Sequence, residues 1–171
     1  SLEVPPEWNE YLHHIDRWEE KPPVVDSSKI PAAKETPEFL AWKKTNVWAQ
    51  RQAGYSMVEL RLRTGDMVPN QMRPFADLLR RYAGGKCRTI VHQNLLIRWV
   101  RTQDLPSLYE ELAKIGMVRA DAQTIYDVTA CPGTDTCRLG IASSMGLARV
   151  IEDRLYKEDG KIVAVARDLR I

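Results

Sequence analysis

From Tyr55 onward the sequence switches repeatedly between two hydrophobic periods, and this switching is what most constrains the fold. Val58, Leu60 and Leu62 occupy every second position and alternate with charged residues. A period of two predicts a half-buried β-strand, with the apolar side chains on the core face and the charged ones on the other. The segments that follow have apolar residues at helical spacing, so the chain predicts a sheet covered by helices.

Two helices and three further strands are predicted after this first strand. The first helix is expected near 70–83, with Asn70 as its N-cap and Gly84-Gly85 at its end. The second is expected over 104–115, with Asp104 as N-cap and Pro106 in the opening turn. The further strands are predicted at 88–92, 95–100 and 123–128. The order βαββαβ is that of the α+β ferredoxin-like split βαβ fold, an antiparallel sheet with both helices on one face.

Composition sets broad limits on the function. With 28% charged residues of both signs and a formal net charge of +2, the chain lacks the basic character typical of nucleic-acid binders. Three cysteines, an odd number, favour a reducing, cytoplasmic compartment. The sequence has no apolar run approaching the roughly 20 residues of a membrane span and no signal-peptide pattern. We therefore expect neither nucleic acid nor a membrane as a partner.

The first 45 residues differ in composition from the rest of the chain. They contain six of the ten prolines and three of the five tryptophans. A short helix is predicted at 6–20 and an extended stretch at 21–33. We interpret residues 1–45 as an arm with short helices that lies across another surface, residues 46–128 as the ferredoxin-like unit, and residues 129–171 as a further segment.

Two cysteines in the last segment flank a Pro-Gly turn, in the motif Cys131-Pro-Gly-Thr-Asp-Thr-Cys137. Thiols at this spacing can reach one metal ion or one iron–sulfur cluster, and a helix predicted over 141–155 favours thiolate at its N-terminus. A zinc site or a redox pair of thiols stays open on spacing alone. A cysteine-ligated cluster usually needs four thiolates. The third cysteine, Cys87, lies far upstream and is expected to be a small core residue.

A second polar group stands at the junction of two predicted strands. Arg88, Gln93 and Asn94 are expected on or beside the sheet face away from the helices, where they could bind carboxylates of a large anionic ligand. The alternative is a β-hairpin whose polar residues are simply solvated.

These segments together resemble a known family. The stretches 58–65, 71–85, 88–95 and 104–108 resemble the ferredoxin-like half domain of the siroheme-dependent nitrite and sulfite reductases. The segment 129–141 resembles the first cysteine pair of the same enzymes, C-x5-C. The two blocks occur in the family's order and at about its distance.

The resemblance implies a fold and a chemistry. It implies that an α/β half domain begins after the ferredoxin-like one. It also implies a 4Fe-4S cluster, held by C-x5-C and a later C-x3-C, that is bridged to siroheme iron. Cys131 and Cys137 would be two cluster ligands, and Arg88, Thr89, Gln93 and Asn94 would face the siroheme. The reaction would be the six-electron reduction of nitrite to ammonia or of sulfite to sulfide, with ferredoxin or a flavoprotein as electron donor. No catalytic residue is indicated.

The departures from the family set a further expectation. Asp168 to Ile171 resembles the start of the strand that precedes C-x3-C, but that pair does not occur in these 171 residues. We therefore expect an excerpt of a longer reductase, inactive and without cofactors by itself. The alternatives are a non-catalytic ferredoxin-like binding or scaffold module and a small zinc or dithiol protein.

Overall fold

The computed structural model describes residues 21–158 and also Pro6, Lys161, Ala166 and Leu169. Apart from the single residues Pro6 and Leu169, the helix predicted at 6–20 and the strand predicted to begin at 168 lie outside the described residues. Within the described part, no helix is both long enough and apolar enough to cross a membrane.

Four helices and four strands make up the regular structure of the described part. In chain order they are α1 Pro37–Asn46, β1 Val47–Ala49, β2 Tyr55–Leu60, α2 Pro69–Ala83, β3 Arg88–Thr89, β4 Leu95–Arg101, α3 Leu105–Lys114 and α4 Ser144–Lys157. The strands form one sheet in the order β1-β2-β4-β3, and every neighbouring pair is antiparallel. The predicted fold class, α+β and ferredoxin-like with an antiparallel four-stranded sheet, is confirmed.

The prediction of a strand at 123–128 is wrong. This segment forms turns, in which the Thr124 N–H donates to the Asp121 carbonyl at 3.3 Å and the Asp127 N–H donates to the Thr124 carbonyl at 2.9 Å. Asp121 and Gln123 both have positive φ, at 63° and 60°, which an extended strand does not allow. The sheet position beside β2 is taken instead by β1, which precedes β2 and pairs Val47 with Val58.

Helix α2 begins at Pro69, so the prediction of Asn70 as its N-cap is wrong. Proline at the first helical position has its φ already fixed near the helical value and has no N–H to satisfy. The Gln71 side chain accepts a hydrogen bond from the Val68 N–H at 3.2 Å, which satisfies one of the free donors at this end. The helix ends as predicted at Gly84, whose φ of 65° is left-handed.

Helix α3 opens with Pro106 in its first turn, as predicted. Asp104 precedes it but makes no side-chain cap, because its carboxylate pairs with Arg101. Helices α1, α2 and α3 share one hydrophobic core with the sheet, so they cover the same face, as predicted for α2 and α3. The most buried members of that core are Phe39, Trp42, Val58, Leu60, Tyr82, Ile97, Val100, Leu105, Leu108 and Leu112.

The described part of the N-terminal segment lies across this unit. Pro23 packs on the end of α2, where a Cβ at Gly84 would lie 2.6 Å from the proline Cβ. Farther along, the Ser107 hydroxyl donates to the Pro31 carbonyl, and Ile30 packs against the core. The segment is therefore held by contacts along its length.

Candidate functional site

An open groove of about 860 Å³ lies on the sheet face opposite the three core helices. Because side chains alternate along β2, Met57 and Glu59 point away from the core that receives Val58 and Leu60. The groove is lined by Trp48, Met57, Glu59, Arg88, Thr89, Ile90, Val91, His92, Leu96 and Gln123. Its lining thus combines apolar surface with hydrogen-bonding groups and with charged groups of both signs, Arg88 and the buried Glu59, and it contains two of the predicted site residues, Arg88 and Thr89.

The hairpin that follows Arg88 connects the groove to the cysteine segment. Strand β3 has only two residues, and the chain then turns, with the Gln93 N–H donating to the Ile90 carbonyl at 3.1 Å. The Gln93 amide makes two hydrogen bonds to one residue: it donates to the Ala130 carbonyl at 2.7 Å and accepts from the Ala130 N–H at 3.1 Å. Gln93 thus holds the residue immediately before Cys131.

Asn94 is 1% exposed, and its side chain makes three hydrogen bonds. Its oxygen accepts from the Leu62 N–H at 2.9 Å, and its amide nitrogen donates to Glu59 and to Asp127, each at 2.8 Å. The structure therefore brings Arg88 and Thr89 to the groove, Gln93 to the cysteine segment and Asn94 to two buried carboxylates beneath them.

The cysteine segment is a tightly built turn. Cys131 and Cys137 are both exposed free thiols at either end of a 3-10 turn over Gly133–Asp135. The Cys137 N–H donates to the Gly133 carbonyl at 2.9 Å, and the Thr134 N–H donates to the Ala142 carbonyl at 3.0 Å. Gly133 is buried with φ of 58°, and an added Cβ would lie 2.5 Å from the Ala142 oxygen. Only glycine fits this backbone approach.

Helix α4 starts at Ser144, three residues later than the predicted start at 141, and the Ser143 side chain caps it by accepting from the Gly146 N–H at 3.3 Å. Cys131 Sγ lies 3.3 Å from Ser144 Oγ. The hydrogen bond with the Ser144 side chain and then that with the Gly133 backbone lower the pKa of the Cys131 thiol. The start of the helix therefore favours thiolate at Cys131, which is the form that binds metal.

A buried cluster of charges was missed by the sequence reasoning. The strand pattern predicted solvent-facing Glu59 and Arg61, but they are 1% and 3% exposed. Residues 117–128 and α4 cover this side of the sheet: Arg61 forms an ion pair with Glu152 of α4 and another, at 3.4 Å, with Asp127. Glu152 is 3% exposed and stands four residues after Ala148, on the buried side of α4. This helical spacing from Ala148 was the one feature of the sequence that could have indicated a buried Glu152.

The remaining candidate ligands do not complete a metal site. Cys87 is exposed, so its predicted role as a core residue is wrong. Among the described residues, no group of three or more His, Cys, Asp or Glu side chains could hold a metal ion. Among the described residues, the candidate cluster ligands are therefore Cys131 and Cys137, which supply half the thiolates of a four-cysteine cluster.

Comparison with known proteins agrees with the ferredoxin-like fold of this unit. Residues 48–115 match the family model described as the nitrite/sulfite reductase ferredoxin-like half domain. The chain is 29% identical over 126 residues to the assimilatory ferredoxin-dependent nitrite reductase of Haloferax mediterranei, covering 64% of this chain and 22% of that protein. It is 25% identical over 138 residues to the ferredoxin–nitrite reductase of Synechococcus elongatus, and this match covers 79% of this chain and 27% of that protein.

A sulfite reductase is also among the similar proteins. The assimilatory-type enzyme of Nitratidesulfovibrio vulgaris is 26% identical over 95 residues, covering 56% of this chain and 43% of that protein. The chain spans about a quarter of the length of the two nitrite reductases above.

Proposed function

Because this chain belongs to the family of nitrite and sulfite reductases through its half domain at 48–115, we propose that it is part of an oxidoreductase that reduces nitrite or sulfite. The observation that carries the proposal is the pair of hydrogen bonds between the Gln93 side chain and the Ala130 backbone. They tie the groove hairpin to the residue before Cys131, so a candidate cofactor face and a candidate cluster ligand are neighbours in one structure.

Cys131 and Cys137 fit the role of two cluster ligands. Thiolates are the ligands of 4Fe-4S clusters, both sulfurs are exposed, and the turn between them is fixed by glycine. The other two ligands would come from outside the described residues. When bound, the cluster and siroheme would supply the six electrons that convert nitrite to ammonia or sulfite to sulfide, delivered by ferredoxin or a flavoprotein.

The groove fits one side of a large, flat, acidic macrocycle. Trp48, Met57 and Leu96 offer apolar surface, while the Arg88 guanidinium and the Thr89 hydroxyl can hydrogen-bond carboxylates. We assign Arg88 and Thr89 to siroheme binding. Gln93 and Asn94 serve the same site by positioning the cysteine segment and the carboxylates of Glu59 and Asp127.

The proposal is tested in the complete reading frame that contains this chain. Cys131→Ser and Cys137→Ser should each remove most of the protein-bound iron and acid-labile sulfide. Cys87→Ser is the matched control, because Cys87 is an exposed cysteine outside the pair, and it should retain both. Full iron content in the Cys131 and Cys137 variants would rule out the cluster assignment and favour a non-catalytic module.

The groove assignment has its own measurement. Arg88→Gln should lower the siroheme content measured from the visible absorbance, because a neutral amide binds carboxylates less strongly than a guanidinium does. The iron–sulfur content should fall less than in the cysteine variants. Unchanged siroheme content would remove Arg88 from the site.

A further inference from the structure

We propose that Glu152 and Arg61 are positioning residues, whose buried ion pair fixes helix α4 on the ferredoxin-like unit and so sets where the two thiols lie relative to the groove. That this placement of the thiols matters for binding a cofactor rests on the proposed function. The positioning itself is a property of this chain and can be tested without any cofactor.

The first argument is the weak apolar attachment of α4. Its two buried residues are Ala148 and Glu152, while Leu147 and Val150 are 61% and 64% exposed. Within the described part of the chain, no residue of α4 belongs to the hydrophobic core or packs against it. A surface helix is usually attached through an apolar stripe. Apart from Ala148 and the stacking of Tyr156 on Tyr126, with 4.8 Å between the ring centroids, charged contacts hold the helix in place.

The second argument is the arrangement around Glu152. Its carboxylate pairs with Arg61, with Arg63 at 2.8 Å and with Arg119 at 2.9 Å. Arg61 and Arg63 follow β2 in the chain and Arg119 lies in the segment after α3, so one carboxylate joins two separate parts of the chain to α4. The side chains of Glu152 and Arg61 are only 4% and 1% exposed.

The third argument is geometric specificity. If the buried carboxylate moves away from its arginine partners, both the carboxylate and the arginines become buried charges without a counter-charge. This costs far more free energy than a small shift in an apolar contact. Arg61 is itself fixed, because it donates to the Ala120 carbonyl at 3.2 Å and also to the Tyr126 carbonyl. Helix α4 therefore cannot slide or rotate without breaking this set.

The pair is connected physically to the thiols. Glu152 lies eight residues after Ser144, about 12 Å along a stiff helix at 1.5 Å per residue. Ser144 contacts Cys131 Sγ at 3.3 Å. A displacement at Glu152 is therefore transmitted to the cysteine turn.

The test is hydrogen exchange by mass spectrometry on the 171-residue chain carrying Glu152→Gln. This substitution keeps the shape of the side chain and removes its charge. Peptides from α4 and the cysteine turn should exchange about tenfold faster, while peptides from α2 stay within about twofold of the original chain. Glu158→Gln is the matched control, because Glu158 ends the same helix and pairs with Arg154 and Lys161, outside the cluster. It should leave both regions within about twofold.

Two results would overturn the positioning role. One is unchanged exchange in α4, and the other is an equal acceleration in α2 and α4, which would mean that Glu152 supports global stability only. If Glu152→Gln does not fold, Arg119→Gln provides the test, because it removes one partly exposed partner of the carboxylate. It should give the same selective pattern at a smaller amplitude.

A second readout uses the complete reductase. Glu152→Gln should alter the electron paramagnetic resonance signal of the cluster, whereas Glu158→Gln should not, and identical signals would count against the positioning role. If the unmodified enzyme holds no cluster, the proposed function fails while the exchange result on the isolated chain still stands. The two proposals can therefore fail separately.

Discussion

Gly133→Ala should open the cysteine turn without unfolding the ferredoxin-like unit. Gly133 has φ of 58°, and an added Cβ would lie 2.5 Å from the Ala142 oxygen and 2.7 Å from the Ser144 nitrogen. Both of these are backbone atoms, so no side-chain rotation relieves the contact. The turn itself has to move.

The magnitude follows from two contributions. A left-handed conformation costs a non-glycine residue about 1–2 kcal/mol. Overpacking against atoms that cannot rotate away adds about 1–3 kcal/mol. The closed turn should therefore lose about 2–5 kcal/mol relative to the open one, which is at least about 30-fold in the opening equilibrium.

Gly54→Ala is the matched control. Gly54 also has positive φ, at 83°, but an added Cβ would meet nothing within 4 Å. It lies in the hairpin between β1 and β2, so backbone strain from an alanine there destabilises the folded sheet and not the cysteine turn. Gly54→Ala should lower the free energy of unfolding by about 1 kcal/mol and leave the cysteine turn unaffected.

The assay is amide exchange by NMR, followed by urea unfolding of the same samples. The Thr134 and Cys137 amides donate within the turn, and both should exchange at least about 30-fold faster in Gly133→Ala. The urea midpoint should change less than in Gly54→Ala. Unchanged exchange at these two amides would refute the argument that glycine is required at position 133.

Three further predictions concern the core and its polar contacts. Leu112→Ala should lower the free energy of unfolding by about 2–5 kcal/mol in urea titrations, because Leu112 is 0% exposed, whereas Leu147→Ala, at an exposed position, should change it by less than about 0.5 kcal/mol. Asn46→Ala should cost about 1–3 kcal/mol in the same assay, because the buried amide donates at 2.9 Å to two carbonyls that would lose their partner. Burial, followed by the charge of Glu111, raises the pKa of Tyr82. The folded chain therefore keeps a phenol proton that the unfolded chain loses near pH 10, so stability falls as the pH rises above this value, and Tyr82→Phe should reduce that fall in unfolding free energies measured from pH 9 to 11.

Local sequence signals predicted α2, α3, α4 and the central strands because those elements are specified locally, whereas α1 at Pro37–Asn46 was not predicted. Helix α2 has its apolar spacing and Gly84 within one segment, and α3 has Pro106 in its first turn. Strand β1 was missed because it has only three residues and two of them are exposed, too few to show a period. Residues 123–128 have strand-forming side chains, but the Asp127 carboxylate accepts from the Gln123 N–H at 2.9 Å and holds the segment in a turn.

The sequence alone indicated the candidate site only where its chemistry is local. The spacing of Cys131 and Cys137 is visible in seven residues of sequence, and the structure gives it a fixed turn. Arg61 and Glu152, by contrast, are 91 residues apart and lie in patterns typical of solvent-facing charge. Pairing over that distance depends on the folded arrangement of β2 and α4, which hydrophobic periodicity does not report.

The groove and the thiols are linked by two routes that start at neighbouring residues of one hairpin. Gln93 holds Ala130, the residue before the cysteine turn. Asn94 holds Asp127, which pairs with Arg61 and through it with Glu152 on the helix after the turn. A turn held at one end can pivot, whereas a turn held at both ends keeps its position. The exposed thiols can therefore have a fixed place relative to the groove although few contacts touch the sulfurs themselves.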